Sequence, residues 1–228
     1  MNRFSLTYIG IFSLIISFFS FLHIIYSYYF NLYLNLDTYF YTLLLSAFIG
    51  ILFIFKKKDV YRINIYSKIL TVISGYFILP LIITVPYYLS IYNLSFINSF
   101  FESISGFTST GFSIFENTKH IDQSLILWRS SSQWIGGLYF LFSLILLIDI
   151  FDTTLKKSLT NFLSFSTSET IKQSFKILIL YSTLTFIIFI ILNFFNFRTF
   201  DAFNLSMTLI SSGGFLPVND LSDILTSK

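Results

Sequence analysis

Two short stretches of this chain combine glycine with small hydroxyl residues in a pattern suited to holding a dehydrated cation. The first reads Gly106, Phe107, Thr108, Ser109, Thr110, Gly111, Phe112, Ser113, and the second reads Ser211, Ser212, Gly213, Gly214, Phe215. Gly111 permits backbone angles that turn carbonyl oxygens inward, and those oxygens, with threonine hydroxyls, can replace an ion's hydration shell. A short amphipathic segment, residues 95–105, leads into the first stretch. As a helix it aims its C-terminal end, with roughly half a negative charge, at the same point. Glycine and small hydroxyls also mark ordinary membrane-surface loops, and for either stretch alone that reading stays open. Other chemistries find little support. Gly106-Phe-Thr-Ser-Thr-Gly111 lacks the glycines two residues either side of serine that a nucleophile elbow needs. With no cysteine there is no thiolate site, and His23 and His120 have no HExxH or carboxylate companions, so no cofactor and no transition metal are expected.

The elements that must position these loops are set by the solvent they face. The chain has 228 residues, 55% hydrophobic and only 11% charged, with a mean hydropathy of +0.77. That is too apolar for an ordinary domain in water. Five runs are long enough to cross a bilayer, residues 4–30, 38–55, 69–89, 125–148 and 177–195, and all are predicted helices because a lone strand in hydrocarbon cannot satisfy its backbone. The first run is too long for a signal peptide's apolar region and has no small-residue cleavage site, so it is expected to be retained. Two mixed segments, 95–113 and 199–217, are too short and polar to span and are predicted to re-enter the membrane. The expected class is therefore an all-α membrane protein of about five transmembrane helices plus two re-entrant pore loops.

Charge gives an orientation. If the five spans alternate and the mixed segments do not cross, Arg3, Lys56, Lys57, Lys58, Arg62, Lys68, Lys156, Lys157, Lys172 and Lys176 share one side, ten of the fourteen Lys and Arg. The positive-inside rule makes that side, and the N-terminus, cytoplasmic. The other face carries Asp37, Glu102, Glu116, Asp122, Asp201, Asp220 and Asp223 against Lys119, Arg129, Arg198 and Lys228. Such acids either concentrate cations at an entrance or simply solvate outer loops. The basic residues form short clusters rather than a stripe, so nucleic acid is not an expected partner and the lipid bilayer is. His23 is expected to pack against a neighbouring helix. Arg129 either snorkels to headgroups as an anchor or pairs with an acid such as Glu102 to brace the loop. Trp128, Trp134 and the many tyrosines suit an interfacial belt, and Asp149 and Asp152 a solvated cytoplasmic end.

Shifting the sequence by 103 residues lays span 69–89 on 172–192 and one mixed segment on the other, pairing Phe100 with Phe203, Ser103 with Ser206, Gly111 with Gly214 and Phe112 with Phe215. This suggests a duplicated unit of helix, pore loop and helix. The expected division is a two-helix extension over 1–60, a first unit over 61–150, and a second unit over 151–228 cut before its closing helix, which should begin near residue 227. The missing part would come from a longer reading frame or another polypeptide.

The run from Phe100 to Gly111 resembles the first pore loop of the Trk/Ktr/HKT potassium transporter superfamily, most closely its TrkH branch. Leu127, Trp128, Arg129 and Ser130, then Gln133, Trp134, Ile135, Gly136 and Gly137, resemble the start of that branch's next helix. Asp201, Ala202 and Phe203, with Ser212, Gly213, Gly214 and Phe215, are similar to its second pore loop. The resemblance covers nearly the whole chain and implies a pore of four linked, non-identical units, each giving one filter strand with a central glycine, here Gly111 and Gly214. It implies K+ as the transported ion, bound by Thr108, Ser109, Thr110, Gly111, Phe112, Ser211, Ser212, Gly213, Gly214 and Phe215, with glycine at the first position favouring potassium over sodium. It further implies a homodimer in the plasma membrane, the inner membrane of a bacterium, and a TrkA-like cytoplasmic nucleotide-binding regulatory subunit. Units three and four are not in this sequence, so a non-conducting membrane scaffold is the alternative.

Overall fold

Without water to bond, a backbone in hydrocarbon closes its hydrogen bonds within helices. The computed structural model, which describes residues 3–55, 65–151 and 170–218, follows that rule. Among the described residues there are seven α-helices and no strand: α1 Arg3–Tyr29, α2 Leu36–Phe55, α3 Ile65–Tyr88, α4 Phe96–Phe107, α5 Gln123–Phe151, α6 Thr170–Phe194 and α7 Thr199–Ile210. Five of them are long and apolar enough to cross a membrane, and α4 and α7 are the two short helices of the mixed segments.

The spans alternate in direction. At one end Tyr8 of α1, Tyr76 of α3 and Tyr139 and Phe142 of α5 form an aromatic cluster, and Gly10 faces Phe53 near the end of α2. At the other end the connecting segments are tied together. Asn35 donates to Asp122 at 3.2 Å and accepts from the Ile91 amide at 3.3 Å, while the Tyr92 hydroxyl donates to the His120 carbonyl at 3.1 Å and accepts from the Asp122 amide at 2.6 Å. The chain between α3 and α5 therefore enters and leaves at one end, as the lysine distribution required.

Small residues let the first two helices approach. A Cβ on Gly10 would lie 3.1 Å from the Gly50 carbonyl, and Ser13, Thr42 and Ser46 turn their hydroxyls onto carbonyls of their own helices. Where no hydrophobic force separates helix from lipid, close packing of this kind holds helices together. His23 packs as expected, its ring 5.0 Å edge-on to Trp128 and 5.3 Å from Tyr39. Helix α5 is the most buried of the five spans and α6 the most open.

The duplication extends to backbone detail. A shift of 103 carries α4 onto α7, twelve residues each. Asn93 (φ 50) matches Asn196 (φ 63), and Ser109 (φ 55) matches Ser212 (φ 54), all in the left-handed region. The turns after the two helices repeat as well: Ser109 N donates to Gly106 O and Ser212 N to Leu209 O, and Thr110 N to Ser105 O and Gly213 N to Thr208 O. Lys56, Lys57, Lys58, Arg62, Asp152, Lys156, Lys157, Asp220, Asp223 and Lys228, and the start of a closing helix near residue 227, lie outside the described residues.

Candidate ion-binding site

Both short helices end on the same turn of α5. A Cβ on Gly136 would fall on the Phe107 carbonyl at the end of α4, and one on Gly137 would lie 2.8 Å from Cβ of Ser211 at the end of α7. Gly136 lies thirteen residues past Gln123, about 20 Å along an axis of about 43 Å at 1.5 Å per residue. Two helix C-termini thus meet α5 about half-way along its length, where the negative ends of their dipoles favour a cation.

The two loops meet there glycine to glycine. Gly111 has φ +82, and a Cβ on it would sit 2.7 Å from the Gly214 nitrogen. A Cβ on Gly214 would lie 3.0 Å from the Gly111 Cα. Both positions must be glycine because backbone faces backbone. Contact this close also makes the loops neighbours rather than opposite walls, so an ion would approach from their open side, where Thr110, Phe112, Ser212 and Gly214 are exposed.

Some candidate groups are committed elsewhere. The Thr108 hydroxyl caps α4 by donating to the Ile104 carbonyl at 2.8 Å and lies 2.7 Å from that of Thr110, and the Ser211 hydroxyl donates to the Met207 and Thr208 carbonyls. These hydroxyls serve the helix ends, whose last carbonyls lack intrahelical donors. The Phe112 carbonyl accepts from the Ser105 hydroxyl at 2.5 Å, turning it towards α4. Backbone carbonyls of Ser109, Thr110, Gly111, Ser212, Gly213 and Gly214 remain the better candidates. Phe112 and Phe215 also part company: the first is 69% exposed and the second 1%.

Arg129 explains that difference. It does not snorkel; it is 2% exposed, its Nε donates to Glu102 Oε1 at 2.9 Å, and Nη2 donates to Ser113 Oγ at 2.8 Å. The Ser113 hydroxyl in turn donates to the Glu102 carboxylate, which also accepts from the Ile114 amide at 2.9 Å. The guanidinium lies 4.3 Å from the centroid of the Phe215 ring. One arginine on α5 therefore clamps the returning limb of the first loop and covers the aromatic of the second, and burial forces the pairing because an isolated charge there is costly. The tryptophans are corrected for a related reason. Trp128 and Trp134 are buried, with indole N–H groups donating to the Ile83 carbonyl (3.2 Å) and the Thr185 hydroxyl (2.9 Å). The belt positions belong to exposed tyrosines, Tyr28, Tyr29 and Tyr33 at one end and Tyr66 at the other. The acidic outer face is thinner than expected. Glu102 is fully buried, Asp201 is 3% exposed and 3.9 Å from Arg198, and Asp122 is held by Asn35 and Ser124.

Gln133, one turn beyond Arg129, belongs to the motif that opens α5 but had no role assigned from sequence. It is fully buried, and with its amide oriented to satisfy both ends, the oxygen accepts from Gly214 N at 3.0 Å and Phe215 N at 3.1 Å while the nitrogen donates to Thr208 Oγ1 at 3.2 Å. Gly213 is glycine because a Cβ there would run into the Gln133 side-chain amide. Positions 129, 133, 136 and 137 recur at helical spacing, so a single face of α5 was legible as the scaffold for both loops.

The model of the TrkH family, described as cation transport protein, matches residues 35–220. An uncharacterized cation transporter of Methanocaldococcus jannaschii, MJ1485, is 34% identical over 152 residues, 62% of this chain and 31% of that protein. The Trk system potassium uptake protein TrkI of Halomonas elongata is 38% identical over 66 residues, 29% of this chain and 12% of that protein. The crystal structure of the potassium transporter TrkH from Vibrio parahaemolyticus shares the fold, with a TM-score of 0.71 at 20% identity over 96% of this chain and 45% of that one. The chain thus spans less than half the length of each of these relatives. Matched by the family model over most of its length, it belongs to the TrkH family of membrane cation transport proteins.

Proposed function

We propose that this chain forms part of the pore of a Trk-type potassium uptake system, contributing two strands of a selectivity filter. The observation that carries the reading is the meeting of Gly111 and Gly214 at the convergent C-terminal ends of α4 and α7. Carbonyls on the open side of that pair would supply half of a coordinating ring. Two further loops, from the rest of a longer polypeptide or from a second chain, would complete it. A homodimer and a TrkA-like regulatory subunit belong to the same proposal. So do a plasma-membrane location and a cytoplasmic end carrying Arg3, Lys68 and Lys176.

The test is rubidium uptake at rising sodium in cells lacking their own potassium uptake, with the two further loops supplied and uptake normalised to protein in the membrane. Gly111→Ser should weaken potassium preference over sodium, because its side chain meets Gly214 and enters the ion's path. The chain alone should not restore growth at low potassium. An unchanged ion preference in Gly111→Ser would move the filter elsewhere, and uptake that is the same with and without this chain would favour a non-conducting scaffold.

A further inference from the structure

Resting on the filter reading above, we propose that Gln133 is a positioning residue that aims the carbonyls of Gly213 and Gly214 at the ion. In a trans peptide the N–H and C=O of one plane point in opposite directions. The Gly214 N–H shares its plane with the Gly213 carbonyl, and the Phe215 N–H shares its plane with the Gly214 carbonyl. Gln133 accepts from both amides at 3.0 and 3.1 Å. Both carbonyls are therefore directed away from α5, towards the side where Gly214 is exposed.

Glutamine suits this task by its atom inventory. Its oxygen has two lone pairs, one for each amide, and its nitrogen needs an acceptor, which Thr208 Oγ1 supplies at 3.2 Å. The threonine thereby fixes which end of the amide faces the loop. Full burial of Gln133 removes the competition of water for these bonds. The first loop is held differently. Its returning limb is gripped by Glu102 through the Ile114 amide and Ser113, whereas the position matching Glu102 in the second unit is Leu205, which has no acceptor. Helix α5 thus provides from outside the second unit an acceptor that the first unit carries on its own pore helix.

Two readouts test this. In the purified chain, amide hydrogen exchange at Gly214 and Phe215 should accelerate about tenfold in Gln133→Leu, the scale of one lost hydrogen bond. Exchange at Thr110, bonded to Ser105, should stay as it was. Gln133→Glu, which keeps the acceptor, should stay near the original rate at both amides. In the transport assay with the further loops supplied, Gln133→Leu should lose potassium preference over sodium severalfold at equal protein abundance, with Gln133→Glu retaining more of it. Unchanged exchange at both amides would overturn the pinning. Faster exchange with intact ion preference, while Gly214→Ser shifts that preference, would overturn the positioning role and leave the filter in place. If neither Gly214→Ser nor Gln133→Leu shifts preference, the filter reading itself fails. Should Gln133→Leu not fold, Thr208→Val frees the amide to rotate and should give a smaller acceleration at the same two amides; no acceleration there would overturn the proposal.

Discussion

Replacing Arg129 by methionine removes a guanidinium that is 2% exposed and leaves the fully buried Glu102 carboxylate without its counter-charge. Stranding one member of a buried ion pair costs about 3–5 kcal/mol, far above the 0.2–1 kcal/mol of an exposed pair. The Ser113 hydroxyl and Ile114 amide still bond the carboxylate, which holds the loss towards the lower end, while the lost contact with the Phe215 ring at 4.3 Å adds to it. The expected destabilisation is therefore about 3–5 kcal/mol for Arg129→Met. Removing the stranded charge should recover much of it, so the double change Glu102→Leu with Arg129→Met should cost less than Arg129→Met alone. Denaturant unfolding in detergent micelles can be followed by intrinsic fluorescence, because the chain has only two tryptophans and both, Trp128 and Trp134, flank the pair on α5. A loss below about 1 kcal/mol, or a double change as costly as the sum of the two singles, would refute a desolvated pair.

Gly136→Ala should sharply lower the yield of monodisperse protein, because its Cβ lands on the backbone carbonyl of Phe107, which cannot rotate away. Gly106→Ala meets the Ser132 hydroxyl and the Phe215 ring edge at 3.0 Å, so it should reduce abundance more than it alters ion preference, the reverse of Gly111→Ser in the same rubidium assay. For topology, a cysteine at Lys119 should be labelled by an impermeant reagent from outside intact cells and one at Lys176 only after permeabilisation; labelling of both from one side would refute the alternating arrangement.

Much of the fold could be read in advance because it depends on quantities local to the chain. Apolar run length against bilayer thickness located all five spans, although α6 begins at Thr170, ahead of the expected 177, and α4 and α7 lie inside the two segments too polar to cross. The register of 103 is also visible in the residues, and the pairs Asn93 with Asn196 and Ser109 with Ser212, whose positive φ values repeat, share it. Arg129 shows where such reading stops. An arginine near a span end anchors to headgroups or pairs inward according to the rotation of α5, and rotation is set by the helices packed around it.

The lipid solvent, the number of spans, the 103-residue register and the two glycine-rich loops were legible in the residues alone. Each of these follows from composition, run length or periodicity. Packing between distant elements is what brings Gly111 against Gly214, gives Glu102 to Arg129, buries Phe215 while leaving Phe112 exposed, and sets Gln133 on the second loop. The two short helices and the turns after them match in backbone but have unequal neighbours, since α5 packs its Arg129 and Gln133 face between both loops at once. Equivalent residues therefore acquire different partners, and a contact between elements distant in sequence depends on that packing rather than on either residue's type.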